Sequence, residues 1–321
     1  MTAHHDAPAA PEAVPEAAAP APQRTRLSFA DPRAFVPFTL VALIWGSTWL
    51  VIKDQISDVP PSWSIVYRFA VAAAAMLVLV KVRGERLRVS SRAWPVILLV
   101  GLTQFTLNFQ FVYRAETHIT SGIVALFFAL ILIPNSILAW FALGERVSRG
   151  FVAGSAVAVV GVGMLLSAEY RASGGGTDIM QGVLLAVLAT LSASVANVTQ
   201  ASERVHREPF LPLLFFSMLA GLAINVAVAL AIDGPPIWDP RPGYLAGIAY
   251  LGIAGSVITF PLYFTLIRNM GAGRAAYIGV ATPILAMLLS TLFEGFVWTP
   301  LTIGGAVLAS AGLVLALKAR H

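Results

Sequence analysis

Of the 321 residues, 58% are hydrophobic and only 12% charged, about half the charged share of a soluble globular protein. A soluble fold of this length has no means of hiding so much apolar surface, whereas a bilayer accepts it as solvent. The net charge of +5 is therefore not read as a nucleic-acid signal, and the absence of cysteine rules out a disulfide framework or a thiolate metal or redox site.

From Met1 to about Ala30 the chain is rich in Ala and Pro, with Glu12 and Glu16 and almost no large apolar residue. Such a segment buries too little surface to offset its conformational entropy, so residues 1–33 are expected to be a disordered tail. It lacks the basic start and apolar run of a secretory signal, and His4 and His5 in so flexible a segment make no metal site. After Arg33 come ten apolar stretches, each of a length that crosses about 30 Å of hydrocarbon as helix. They fall near 36–52, 62–80, 94–113, 119–141, 150–167, 179–200, 209–231, 243–265, 275–293 and 300–317. The loops are short and carry turn residues, as at Val59-Pro60-Pro61, Ser173 to Gly176 and Asp233-Gly234-Pro235-Pro236.

Lys and Arg set the orientation. With the N-terminus in the cytoplasm, the inside segments hold Arg24, Arg26, Arg33, Lys81, Arg83, Arg86, Arg88 and Arg92. They also hold Arg146, Arg149, Arg204, Arg207, Arg268, Arg274, Lys318 and Arg320. The opposite side keeps only Lys53, Arg114, Arg171 and Arg241, so both termini are expected in the cytoplasm. One basic residue, Arg68, lies inside span two.

The chain repeats itself. Pro134 in span four precedes Glu145 by eleven residues, and Pro283 in span nine precedes Glu294 by the same interval. The span after each carries two glycines seven apart, Gly154 and Gly161 in one case, Gly305 and Gly312 in the other. This divides the chain into five-helix repeats at 34–170 and 178–321. Five is odd, so the second repeat enters the membrane upside down, the architecture of alternating access. The fold class expected is thus an all-α membrane protein of ten transmembrane helices in two inverted five-helix repeats. Runs of small residues such as Ala72 to Ala75 let such helices approach closely.

Trp45-Gly46-Ser47, Arg68-Phe69, Leu143-Gly144-Glu145-Arg146, the glycines of Gly154 to Gly163, Thr282-Pro283 and Phe293-Glu294 together resemble EamA-type members of the drug/metabolite transporter superfamily. The resemblance runs from about 36 to 317. It implies ten helices with both termini cytoplasmic, a central cavity between the halves, and export or exchange of small metabolites. In the second repeat the glutamate is followed by Gly295 and not preceded by glycine, a modest departure.

Arg68 is the first candidate for a substrate contact. An arginine at mid-membrane costs at least about 2.5–3.5 kcal/mol, so it should face the bundle, where it would attract an anionic group such as a carboxylate. The bland alternative is a structural arginine that snorkels outward or bonds Asp54 or Glu116. The neutral polar candidates are Trp45, Gln104, Asn108, Asn135, Asn197, Thr259 and Thr282, with Ser194 and Ser256 beside them. Tyr263 and Tyr277 would add aromatic walls. Each has a plain alternative in helix-to-helix hydrogen bonding. Pro134 and Pro283 each remove a backbone hydrogen bond and are expected to act as hinges at matching depths.

No carboxylate is expected deep in a span, and Glu145 and Glu294 read as surface-level groups at helix ends. That reading favours exchange or facilitated movement over direct proton coupling. The function expected is a secondary transporter of small organic metabolites, amino-acid-like or related, in a bacterial inner membrane. The alternatives are a flippase for a lipid-like substrate or, less favoured, an intramembrane enzyme. For the latter the chain carries no H-E-x-x-H, no G-x-S-x-G and no paired aspartate motif. No cofactor or metal is expected, no nucleic-acid partner, and a monomer or weak homodimer.

Overall fold

The computed structural model describes residues 31–319 apart from 57, 145–146, 173–176, 203–204, 206 and 271–276. Residues 1–30 of the expected tail, Glu145, the turn at 173–176 and the expected start of the ninth span lie outside the described residues, whereas Pro32 and Arg33, also assigned to the tail, are already helical. Every regular element among the described residues is helical. Nine helices are long and apolar enough to cross a membrane: α1 Pro32–Gln55, α2 Pro61–Val82, α3 Ser91–Ala115, α4 Ser121–Ala142, α5 Arg149–Arg171, α6 Thr177–Gln200, α7 Phe210–Ile232, α8 Pro242–Tyr263 and α10 Pro300–Ala319. A shorter apolar helix, α9 Ile278–Phe293, completes the set. Every predicted span therefore corresponds to a helix. Large apolar side chains such as Val78, Phe141, Val160 and Leu292 stand exposed, which suits lipid better than water.

Helix packing follows a two-fold pattern in which α1 to α5 exchange with α6 to α10. The contacts α1·α9, α1·α8 and α2·α8 have their counterparts in α6·α4, α6·α3 and α7·α3. The pairs α2·α7, α4·α9 and α5·α10 map onto themselves. Small residues make the closest of these crossings. A Cβ on Gly161 would sit 2.3 Å from the Ala309 nitrogen and 2.6 Å from the Gly305 carbonyl, and one on Gly312 would sit 2.3 Å from the Ala158 nitrogen. Gly154 and Gly305 are equally tight, so the two predicted glycine pairs meet each other across the α5·α10 seam.

Two departures from regular α-helix bear on the site. Gly101–Leu107 of α3 and Tyr250–Ile258 of α8 are π-wound, and these spans occupy the same place in the two halves. The extra residue per turn lifts carbonyls out of the usual ladder. Threonine and serine hydroxyls reach five residues back to satisfy them: Thr106 to the Gly101 carbonyl at 3.2 Å, Ser256 to that of Leu251 at 3.0 Å. The second departure lies in α4, which breaks at Leu130–Ile131 between Ser121–Ala129 and Leu132–Leu143. Pro134 has no N–H for the Leu130 carbonyl, which Ile133 takes instead in a tighter turn at 2.9 Å. Pro283, by contrast, sits inside an unbroken α9. The two prolines do not make matching breaks.

A buried polar chain ties α2, α3 and α7 together. Asn225 donates to the Phe105 carbonyl at 2.8 Å and accepts from Gln110 Nε2 at 2.9 Å. Ser62 donates to Gln110 Oε1 at 3.1 Å, and Arg114 donates to both. Replacing Asn225 with leucine keeps the shape but strands Gln110 Nε2 and the Phe105 carbonyl. The expected loss is about 1–3 kcal/mol, read as a lower thermal midpoint in detergent with the helical circular dichroism unchanged.

Candidate functional site

Arg68 lies on α2 two turns from its N-terminal proline and is only 3% exposed. It does not snorkel to the surface. Its guanidinium stacks over Phe109 of α3, 4.3 Å from the ring centroid, with Phe69 at 5.6 Å and the Tyr113 hydroxyl beside it. Nε and Nη1 have no hydrogen-bond partner. The expected structural partner, Glu116, is not engaged either, since both of its carboxylate oxygens are buried without a partner. Two nitrogens of a buried cation are thus without a hydrogen-bond partner.

Around that cation the π-wound stretch of α8 is the organising element. The Gly255 carbonyl accepts from Trp45 Nε1 of α1 at 3.2 Å and from Thr259 Oγ1 at 2.9 Å. A Cβ on Gly255 would stand 3.7 Å from Arg68 Nη2 and 3.1 Å from Thr48, so α8 packs directly against α1 and the guanidinium. Trp45 in turn packs against Phe260 and Tyr263, with centroids 5.8 and 5.3 Å away. Phe260 touches Phe105 at 6.4 Å, and Phe105 touches Phe69 at 5.3 Å. The result is an aromatic wall running from Trp45 to Arg68, with one cation and few other polar groups.

The predicted residues divide accordingly. Trp45, Arg68, Thr259 and Tyr263 come together on α1, α2 and α8. Thr282 joins them through α1, because Gly46 lies against the Thr282 carbonyl and Leu285; its own hydroxyl is buried and unpartnered. Gln104 and Asn108 are buried in α3 on either side of Phe105, Asn108 with a free Oδ1. Asn135 follows the α4 break with its Oδ1 buried and unpartnered. Asn197 is exposed, whereas Ser194 one turn earlier is fully buried with its Oγ unpartnered, so the inward polar group on α6 is the serine. Tyr277 is half-buried just ahead of α9.

The larger correction concerns carboxylates. Glu116 caps the C-terminus of α3 and is fully buried, although its place in the sequence reads as a loop. Lys53 of α1 donates to the Glu116 backbone carbonyl, not to the carboxylate. Glu294 at the end of α9 is half-buried and not a plain surface group. Its Oε2 accepts from the Ser121 N–H at 3.2 Å, the Ser121 hydroxyl at 2.9 Å and the Ser290 hydroxyl, while Oε1 is buried without a partner. Burial pushes the Glu116 carboxyl well above the usual carboxylate range; the Glu294 charge adds to the rise, and Lys53 and Arg68 oppose it.

A consequence for stability follows. The unfolded chain releases this proton near 4.5 and the folded chain holds it to higher pH, so between the two the folded state binds more protons. Stability therefore falls as pH rises through that window. Thermal unfolding in detergent is expected to show this decline, and Glu116→Gln to flatten it.

An all-helical bundle that crosses the membrane many times, with a buried cation and unpartnered polar groups between its helices, is the build of a membrane transporter. The chain belongs to the EamA-like transporter family, whose description matches it twice, over residues 35–167 and 180–318. It is 25% identical over 294 residues to a probable amino-acid metabolite efflux pump of Salmonella typhimurium, covering 86% of this chain and 92% of that one. It is 23% identical over 283 residues to a probable terminal-alkyne amino-acid exporter of Streptantibioticus cattleyicolor, covering 88% and 93%. A solved crystal structure with 23% identity shares the fold at a TM-score of 0.66, over 91% of this chain and 99% of that one.

Proposed function

We propose that this transporter moves small carboxylate-bearing organic metabolites, amino acids and related compounds, out of the cell or in exchange, by alternating access across a bacterial inner membrane. The observation that carries this reading is the Arg68 guanidinium, 3% exposed and with Nε and Nη1 unpartnered. A buried cation without an anion is costly, and a carboxylate beside the guanidinium relieves that cost by accepting charge-assisted N–H bonds. The aromatic wall from Trp45 to Phe69 then takes the apolar part of the ligand. Two relatives named for amino-acid export support the same substrate class.

The moving bodies are the repeats 34–170 and 178–321, rocking against each other about the α5·α10 seam. The break beside Pro134 gives the first repeat a hinge, and Pro283 marks the corresponding place in the second. The bias of Lys and Arg puts both termini in the cytoplasm, so Lys53, Glu116 and Glu294 face the outside. The test is metabolite release. Cells producing the wild-type chain should accumulate amino-acid-like compounds in the medium, and cells producing Arg68→Gln at equal membrane abundance should not. Identical external pools in the two cultures would overturn the reading.

A further inference from the structure

We propose that Glu116 is a proton-binding site linked to the substrate site through Arg68, so that a carboxylate and a proton bind together and cross together. The inference rests on the transport reading above and adds the coupling ion. Its first support is geometric. Glu116 is fully buried at the junction of α3 and α4, and neither of its oxygens has a partner. A carboxylate in that setting lacks every hydrogen bond that would stabilise its charge, and protonation removes the cost.

The charged groups that act on it come from three other helices. Lys53 of α1 and Arg68 of α2 are positive; Glu294 of α9 is negative. Tyr113 lies one turn back on α3 itself. Glu169 of α5 interacts in turn with Glu294 and Lys53, while α4 contributes the serine that holds Glu294. On α6 the one titratable residue is Asp178, exposed at its start. Lys53 is committed to the Glu116 carbonyl, and Glu294 has its Oε2 held by serines, which leaves three buried oxygens on two carboxylates free of partners. Two such groups sharing one electrostatic neighbourhood hold a proton between them more readily than either alone.

The link to substrate follows from the sign of Arg68. Its positive charge favours the ionised form of Glu116. A substrate carboxylate on Arg68 neutralises that charge, so Glu116 then takes a proton more readily. Linkage makes the effect reciprocal: a protonated Glu116 leaves Arg68 freer to bind an anion. Substrate and proton are therefore carried in the same direction.

The test begins without substrate. In nanodiscs, infrared difference spectra across a pH titration should show the C=O stretch of a protonated carboxyl that is absent from Glu116→Gln. Arg68→Gln should move its midpoint up by about one pH unit and Glu294→Gln should move it down by a similar amount. A wild type without the band, or a band that survives in Glu116→Gln, overturns the proposal whether or not the protein transports anything. In weakly buffered proteoliposomes an outward gradient of an equimolar mixture of the neutral protein amino acids should drag protons outward. Glu116→Gln should move the amino acids without the protons. Amino-acid movement by the wild type with no proton flux, or with protons moving the opposite way, also overturns it. If no amino acid moves, the fault lies with the transport reading, and the infrared band still decides where the proton sits.

Discussion

Arg68→Gln is expected to abolish transport while leaving the helical bundle folded. Glutamine is shorter, neutral and unable to present two parallel N–H donors, so a bound carboxylate loses its charge-assisted pair. Losing about 3 kcal/mol corresponds to more than a hundredfold in affinity, enough to take transport below detection in most assays. Folding should not suffer, because the native guanidinium makes no hydrogen bond from Nε or Nη1 that the substitution breaks. Removing an uncompensated buried charge is expected to raise the thermal midpoint. Arg68→Lys separates charge from geometry: it restores the cation but not the planar fork, and should recover only a small part of the activity. Flux in proteoliposomes and the midpoint in detergent, measured on the same preparations, check both halves of this expectation. A variant with full flux would remove Arg68 from the substrate site.

Gly161→Leu is expected to force the α5·α10 seam apart. The added carbons fall on backbone atoms of α10, the Ala309 nitrogen at 2.3 Å and the Gly305 carbonyl at 2.6 Å, and backbone does not move aside as a side-chain tip does. The helices must separate, giving up the close packing that holds membrane helices together where no hydrophobic force does. A cost of at least about 3 kcal/mol is expected, a fall of about 6 °C or more in the detergent midpoint. The same substitution at Gly163, where a Cβ would meet open space, is the control and should change little. Equal midpoints for the two variants would show that the seam is not a close contact.

The membrane character, the ten spans and the repeated proline and glycine spacings were all legible in the sequence, because they depend on composition and period alone. Arg68 was legible as a candidate, since a charge inside an apolar run either faces the bundle or snorkels outward, and its burial decides for the bundle. Glu116 was not. It follows Arg114 at the end of a span, where a polar pair normally marks a surface loop, and it is tertiary packing on that end of α3, α6 and α2 included, that buries it. The choice of Asn197 over Ser194 failed for a related reason: the helix pattern of α6 is apolar on all sides, so hydropathy gives no inward face. Neither π-wound stretch has a residue signature, yet the Gly255 carbonyl within one of them accepts from Trp45 and so ties α1 to α8 next to Arg68. Pro134 and Pro283 look alike in sequence and differ in structure, since the local turn at Leu130 determines whether the helix breaks.

The most direct test of the account is counterflow in sealed proteoliposomes preloaded with a mixture of the protein amino acids and read by mass spectrometry. The account predicts selective exchange of a subset of them by the wild type and none by Arg68→Gln. Exchange that is equal in the two proteins, or no exchange by folded wild type under any imposed pH gradient, would contradict it.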